Sequence, residues 1–162
     1  MNLTAKSRYA LKIMMDLAAH QAEGHQQRHN IANRQSIPVD FMDQITARLR
    51  AGGLIESIRG RSGGFHLAKS STDISLWDIF QAVEDSLYPV KCLDHETCEL
   101  EESCISVGAW RDVSLLVRAA LSEKTLADSV EKWQMLAVKR APKTLPSNST
   151  TCNRPHFDRT PG

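Results

Sequence analysis

Residues 36–67 read SIPVDFMDQITARLRAGGLIESIRGRSGGFHL. The opening Ser36-Ile37-Pro38 predicts a tight turn, and apolar residues then recur at helical spacing until a pair of glycines, which predicts a helix over residues 38–51. Two short strands are predicted next, over residues 54–58 and 65–67, with a glycine-rich stretch between them that suits a hairpin tip. This stretch therefore predicts a helix followed directly by a small β-hairpin.

Two more helices are predicted upstream of the turn. Residues 4–22 carry one apolar face, with Thr4 as a plausible N-cap and Gly24 after the end, and residues 28–35 form a short second helix. Two short helices joined by a tight turn and preceded by a supporting helix constitute a helix-turn-helix, and the hairpin that follows is a wing. A phosphate-binding loop is excluded, because no helix follows the glycines and no Gly-Lys-Ser/Thr is present.

The outward residues of this unit suit contact with DNA. On a helix-turn-helix, the exposed residues near the start of the second helix meet base edges, and arginines at a wing tip can enter a minor groove. The helix candidates are Pro38, Val39, Asp40, Asp43, Gln44, Arg48 and Arg50, and the wing candidates are Arg59, Gly60 and Arg61. Asp40 and Asp43 are acidic, and a carboxylate repels phosphate but accepts from cytosine N4. We therefore expect an acidic residue here to impose sequence selectivity.

Charge is divided along the chain. Residues 1–70 carry ten Lys and Arg against five Asp and Glu, whereas residues 71–139 carry six against thirteen. A basic front and an acidic back favour a polyanion at one end and a different role at the other. No apolar run is long enough to span a membrane, and the absence of a secretory cue favours the cytoplasm.

The back half of the chain predicts three helices. The first covers about residues 75–84, with Ser75 and Asp78 resembling a capping box, and Trp77 lies off its apolar stripe, where we expect core or interface packing. A long helix runs from after Cys104 to about residue 122. Thr125 and Asp128 form another capping-box pattern, which opens a last helix through about residue 138. Apolar residues repeat along the long helix like a coiled-coil seam, for which a two-fold partner is the simplest cover. The seam residues are Val107, Trp110, Val113, Val117 and Leu121.

Three of the four cysteines lie in one short segment. Cys92, Cys98 and Cys104 are separated by five residues each, so their thiols can converge only if the segment is an irregular loop. Thiolates are soft ligands, and three together suit an iron–sulfur cluster or zinc. Structural zinc sites use closer cysteine pairs, and disulfide frameworks belong to small secreted domains, so both are less favoured than a cluster. Three unrelated structural cysteines are the remaining alternative.

Two further functions are compatible with these cysteines. Without a metal they could sense oxidants by thiol chemistry, although five acidic residues between positions 94 and 102 should disfavour thiolates. A hydrolase using Cys98 and His95 is the other alternative, but no oxyanion motif accompanies them, so we expect no enzyme activity. Cys152 lies in the polar C-terminal stretch and is not expected to be a ligand.

The whole of residues 1–139 resembles the IscR-type family of bacterial winged-helix regulators, whose relatives include nitric-oxide-responsive and iron-responsive repressors. The matching text is LTAKSRYAL at residues 3–11, ARLRAGGL at 47–54 and IRGRSGGF at 58–65, followed by the three cysteines, Trp110 and the TLAD stretch at 125–128. The fold class that follows is mainly α with a small β-hairpin wing, as a winged helix-turn-helix domain plus a long dimerisation helix.

The resemblance implies a homodimeric transcription factor that binds double-stranded DNA under control of a [2Fe–2S] or [4Fe–4S] cluster. By this analogy Cys92, Cys98 and Cys104 hold the cluster. The major groove would be read by residues 38–50 and the minor groove by Arg59 and Arg61. Lys6, Arg8 and Tyr9 would brace the DNA backbone. The domains expected are residues 1–85 for DNA binding, 86–104 for the cysteine loop, 105–139 for the dimerisation and C-terminal helices, and 140–162 as a disordered tail.

One departure from the family pattern concerns the fourth ligand. The founding members have a histidine three residues after the third cysteine, whereas this chain has Val107, which cannot ligate. The ligand must come from elsewhere: His95 or Glu96 in the loop, a residue of the partner's first helix, or a small molecule. Arg8 and Tyr9 are poor candidates for a carboxylate supplied by the partner. The departure favours a labile cluster, suited to sensing oxygen, nitric oxide or iron supply.

Overall fold

The computed structural model describes residues 3–60, 63–90, 93 and 103–140 of the 162-residue chain. Six α-helices, one 3₁₀ turn and one two-stranded antiparallel sheet make up the regular structure of these residues. In chain order the elements are α1 Ala5–Ala19, α2 Arg28–Gln35, α3 Val39–Ala51, β1 Ile55–Ile58, β2 Gly64–Leu67, α4 Leu76–Val83, α5 Val107–Glu123 and α6 Leu126–Arg140. The predicted fold class, mainly α with a hairpin wing, is confirmed.

Helix α1 begins as predicted and ends earlier. The Thr4 side chain accepts a hydrogen bond from the backbone N–H of Lys6, which confirms it as the N-cap. His20 leaves the helical conformation and is the C-cap, and Gln21–Glu23 form one 3₁₀ turn before Gly24, whose φ is 83°. The predicted end at residue 22 was therefore wrong, because the chain after the last α-helical turn forms a 3₁₀ turn instead of continuing the α-helix.

The helix-turn-helix consists of α2, a tight turn and α3. Ser36 lies in the left-handed region at φ 51° and ψ 51°, which reverses the chain between the two helices. Pro38 is the N-cap of α3 rather than a residue of its first turn, and the glycine pair ends the helix as predicted. The buried face of α3 packs on α1 and α4, and its buried residues are Met42, Ile45, Thr46 and Leu49.

The wing is short and attached to the helices behind it. Strands β1 and β2 pair from Ile55 with Leu67 to Ile58 with Gly64, and the backbone of Phe65 also exchanges two hydrogen bonds with Gln26. A Cβ on Gly64 would lie 2.4 Å from the Gln26 carbonyl oxygen, so this close approach requires glycine. This pairing of Gln26 with Phe65 holds the base of the wing beside the residues that lead into α2.

The C-terminal helices are joined to the winged domain through the start of α4. Ser75 and Asp78 form the predicted capping box, and the neighbouring residue Leu76 donates its N–H to the Lys124 carbonyl. Leu126 is fully buried and donates its N–H to Ile74. Trp77 is buried as predicted, with the Arg118 guanidinium of α5 5.5 Å from its ring centroid. The junction of α5 and α6 is therefore part of the core, whereas α5 itself contains no buried residue.

None of the helices in the described ranges is long and apolar enough to cross a membrane.

Candidate nucleic-acid interface and cysteine segment

Helix α3 presents its predicted DNA-reading residues outward. Val39 is 55% exposed, and Pro38, Asp40, Asp43, Gln44 and Arg50 are exposed as well. Arg48 is half-buried, because its guanidinium folds back toward the end of α4. Their exposure leaves these side chains free to approach a major groove, although Asp43, Arg48 and Arg50 already have partners within the protein.

Asp43 is paired with a residue that the sequence analysis did not single out. The Nη1 atom of Arg28 donates to both carboxylate oxygens, at 2.6 and 2.7 Å. Arg28 is the first residue of α2, so this ion pair joins the two helices of the helix-turn-helix on their outer side. The fifteen-residue separation hides it from any local sequence pattern.

The first turns of α1 lie against the start of α3. The rings of Tyr9 and Phe41 have centroids 5.3 Å apart, and the Arg8 guanidinium carbon lies 5.1 Å from the Tyr9 centroid. Tyr9 therefore positions Arg8 and the N-terminal end of α3 with respect to each other. Phe41 was missed by the sequence analysis because it lies off the buried stripe of α3.

Two of the predicted DNA contacts share one carboxylate. Lys6 Nζ lies 3.3 Å from Asp85 Oδ2, and Arg48 Nη1 lies 2.9 Å from Asp85 Oδ1 and 2.9 Å from the Val83 carbonyl oxygen. These hydrogen bonds from Arg48 and Lys6 lower the pKa of Asp85. The residue just after α4 thus binds cationic side chains of both α1 and α3.

The adjacent residue, Glu84, caps α1. Its Oε1 accepts hydrogen bonds from the backbone N–H and hydroxyl of Thr4, at 2.9 and 2.8 Å, and from the hydroxyl of Ser7 at 2.7 Å. Burial raises the pKa of Glu84, but the hydrogen bonds from Ser7 and Thr4 together outweigh it, and the pKa lies below its ordinary value. A carboxylate at a helix N-terminus also interacts favourably with the helix dipole. Glu84 and Asp85 went unnoticed in the sequence, because their partners lie 37 to 80 residues away in the chain.

The wing tip is described only in part. Arg59 is exposed after β1, and Gly60 has a φ of 120°, a conformation that favours glycine. Arg61 lies outside the described residues. The predicted placement of arginine at the tip is supported for Arg59 alone.

The cysteine segment, residues 86–104, is described at its two ends. Cys92 and Cys98 lie outside the described residues, as do His95 and Glu96, the loop candidates for a fourth ligand. Cys104 is a half-exposed free thiol, with Sγ 3.5 Å from the Ser106 hydroxyl oxygen. Interactions with the Ser106 hydroxyl and backbone, and with the Val107 N–H, lower the pKa of the Cys104 thiol. These local donors favour the Cys104 thiolate, whereas the acidic residues expected to disfavour thiolates, between positions 94 and 102, lie outside the described residues.

One described residue, Cys104, has the chemistry of a soft-metal ligand. A ligating cysteine must lose its proton, and Cys104 is half-exposed with a pKa lowered by its neighbours. Val107 begins α5 three residues further on and offers no ligand atom. In the described part of the chain no three Cys, His, Asp or Glu side chains lie together as a metal site, and Cys92 and Cys98 are not in that part.

The predicted dimerisation seam is divided between two environments. Val107, Val117 and Leu121 are half-buried, and Leu121 packs against the core of its own protomer. Trp110 and Val113 are 39% and 40% exposed, and Leu116, one turn beyond Val113, is 70% exposed. The exposed apolar side chains of α5 thus include Trp110 and Val113 of the predicted seam together with Leu116, which the prediction did not include.

Comparison with known proteins gives concordant results. The model of the Rrf2 family, described as iron-dependent transcriptional regulators, matches residues 3–132. The HTH-type transcriptional regulator IscR of Serratia proteamaculans (strain 568) is 36% identical over 138 residues, which cover 85% of this chain and 84% of that protein. Two solved structures, each 30% identical, superpose well. CymR (YrzC), the global cysteine regulator of B. subtilis, gives a TM-score of 0.66 over 82% of this chain and 98% of its own. T. potens IscR gives a TM-score of 0.64 over 84% of this chain and 90% of its own.

Proposed function

The chain belongs to the Rrf2 family of iron-dependent transcriptional regulators, and we propose that it acts as a homodimer that binds double-stranded DNA under control of an iron–sulfur cluster. Cys92, Cys98 and Cys104 would hold the cluster, and its presence would set DNA affinity or site choice. When bound, such a cluster would supply iron that reacts with oxygen or nitric oxide, and its occupancy would follow the supply of iron. The remaining steps belong to side chains of the protein.

One observation carries the proposal: residues that would contact DNA are bonded to the residues that lead into the cysteine segment. Asp85 holds Lys6 of α1 and Arg48 of α3, and Glu84 caps α1. Cys92 follows Asp85 by seven residues. A change in the conformation of the cysteine segment can therefore be transmitted to both DNA-contacting helices without unfolding their core.

The effect on DNA follows from charge competition. Lys6 and Arg48 both donate hydrogen bonds to Asp85, so its carboxylate competes with DNA phosphates for them. They can bind phosphate fully only when their hydrogen bonds to Asp85 are broken. The position of Asp85 thus sets how much positive charge the helices offer to the duplex. In a dimer the same shift also changes the spacing of two recognition helices, which must match half-sites roughly 34 Å apart.

The experiment compares DNA affinity with and without the metal. Duplexes selected by the anaerobically purified protein from a random pool are titrated with that protein and with chelator-treated protein, at two salt concentrations. We expect affinity for the selected duplex to change by about fivefold or more on metal removal, as is typical of coupled binding sites. Cys98→Ser should bind with the affinity of the chelated protein, and Cys152→Ser, the matched control, should respond as the wild type does. Equal affinity for all forms would contradict the proposal.

A second function is favoured by one feature of the site. The Cys104 thiol is half-exposed with a lowered pKa, so a regulator without a cluster could sense oxidants through this cysteine. The structural likeness to the cysteine regulator CymR agrees with this alternative. It predicts a metal-free dimer whose DNA affinity changes on treatment with peroxide and is restored by a thiol reductant.

A further inference from the structure

The ion pair between Arg28 and Asp43 lies where a protein of this fold meets DNA. Asp43 projects from the outer face of α3, and Arg28 Nη1 donates to both of its oxygens, at 2.6 and 2.7 Å. Both side chains are about half exposed. An exposed ion pair of this kind contributes little to the stability of the fold. Its main effect is therefore expected on the charge and the hydrogen-bonding groups that this surface offers to a ligand.

Asp43 is an unusual residue for such a surface, because a bare carboxylate repels the phosphates on either side of a groove. Arg28 cancels that charge in place. In the described part of the chain, Nε and Nη2 of Arg28 make no hydrogen bond, so the guanidinium retains donors for phosphate while it holds the carboxylate. Each carboxylate oxygen has a second lone pair, which stays available to a base amino group.

We propose that Arg28 is a specificity-determining residue: it neutralises and orients Asp43, so that the carboxylate accepts from a base amino group without excluding other sequences outright. This inference rests on the proposed DNA-binding function. At a site with an amino group, such as cytosine N4, Asp43 gains a donor in addition to Arg28. At a site without one, Arg28 still satisfies the carboxylate and keeps the loss of affinity moderate.

Loss of Arg28 should therefore raise discrimination while it lowers affinity. A carboxylate without its guanidinium would be left unpaired against any sequence that lacks a donor, whereas a sequence with a donor would still satisfy it in part. Loss of the Asp43 charge should do the opposite, since Arg28 is then freed for phosphate and no acceptor selects the base. The effect of Arg28 on selectivity thus requires Asp43.

The test is a double-mutant cycle on the full-length protein. Wild type, Arg28→Ala, Asp43→Asn and the double variant are titrated with the duplex selected by wild type, and with a duplex changed at the base pair where Asp43→Asn loses selectivity. We expect Arg28→Ala to increase the ratio of the two affinities about fivefold or more, and to leave the ratio unchanged in the Asp43→Asn background. Arg8→Ala is the matched control, which should weaken both duplexes equally, because Arg8 is expected to contact the DNA backbone and not a base. Thermal unfolding of each variant verifies that it is folded.

Two results would overturn the inference while DNA binding stands. If Arg28→Ala weakens both duplexes by one factor in both backgrounds, Arg28 is a phosphate contact alone. If Asp43→Asn alters selectivity at no position, the carboxylate reads no base. A wild-type protein without salt-dependent binding to any duplex would instead refute the proposed function, and the inference with it.

Discussion

Glu84 shows how much a single side chain contributes to the proposed DNA-binding surface. It is 9% exposed, and one of its oxygens receives donors from both Thr4 and Ser7, so the start of α1 depends on a residue at the far end of α4. Hydrogen bonds to a charged group are stronger than those between neutral groups. The N-terminal position of α1, and with it that of Lys6 and Arg8, is therefore set by the ionised form of Glu84.

Replacing Glu84 with Gln should lower the free energy of unfolding by about 1–3 kcal/mol at neutral pH, because the charge-assisted part of these bonds is lost. The folded pKa of Glu84 lies below its unfolded value of about 4.3. Its contribution is thus present above that value and is lost as the pH falls through the folded pKa. Urea unfolding of both proteins, at neutral pH and at stepwise lower pH, should show the difference shrinking in acid. Ser7→Ala, which removes one donor, should give a smaller difference with the same trend, and a difference that does not depend on pH would contradict this account.

At the scale of the secondary-structure elements, the presence of the helices and their caps could be predicted from local sequence patterns. The apolar spacing in α1, α3 and α4 and the capping boxes at Ser75 and Thr125 all act within one or two turns, and the structure has them as predicted. The pairs Arg28–Asp43 and Glu84–Ser7 could not be predicted, because they form only when the fold brings distant residues together. The exposed Leu116 was also missed, since the periodic spacing along α5 does not show which of its apolar residues the protomer's own core covers.

The wing is the element whose role in binding is easiest to isolate. Arg59 is exposed at the end of β1, away from the core, so its removal should leave the fold intact. We expect Arg59→Ala to weaken binding to duplex DNA, with the larger loss on A/T-rich flanks, where a narrow minor groove attracts arginine. The slope of log affinity against log salt concentration should become shallower by about 0.9, which corresponds to one phosphate contact. Fluorescence anisotropy across a salt series measures both, and an unchanged slope would mean that the wing tip does not touch DNA.

At the scale of the whole molecule, the proposed dimer would form through α5. Trp110, Val113 and Leu116 form an exposed apolar strip along one side of this helix, beside the edge that packs on α4. A second copy of the chain would cover it. Val113→Glu should convert the dimer to a monomer, because a carboxylate would be buried in the contact without a partner.

Native mass spectrometry and sedimentation measure the change. The matched control is Leu115→Glu. Leu115 is 64% exposed on the same helix, but it is two residues from Val113 and so projects about 200° around the axis. We expect this variant to remain dimeric. If both variants are dimers, the contact lies elsewhere, and if both are monomers, the strip alone does not define it.

The central claim, a cluster on three cysteines, is tested most directly by analysing the anaerobically purified protein for iron, acid-labile sulfide, visible absorption and native mass together. The account predicts a coloured dimer with stoichiometric iron and sulfide, whose absorption bleaches on exposure to oxygen or nitric oxide, in keeping with Val107 at the position of the family's fourth ligand. A colourless dimer that still binds DNA after attempted reconstitution would contradict it and would make the three cysteines thiol switches instead.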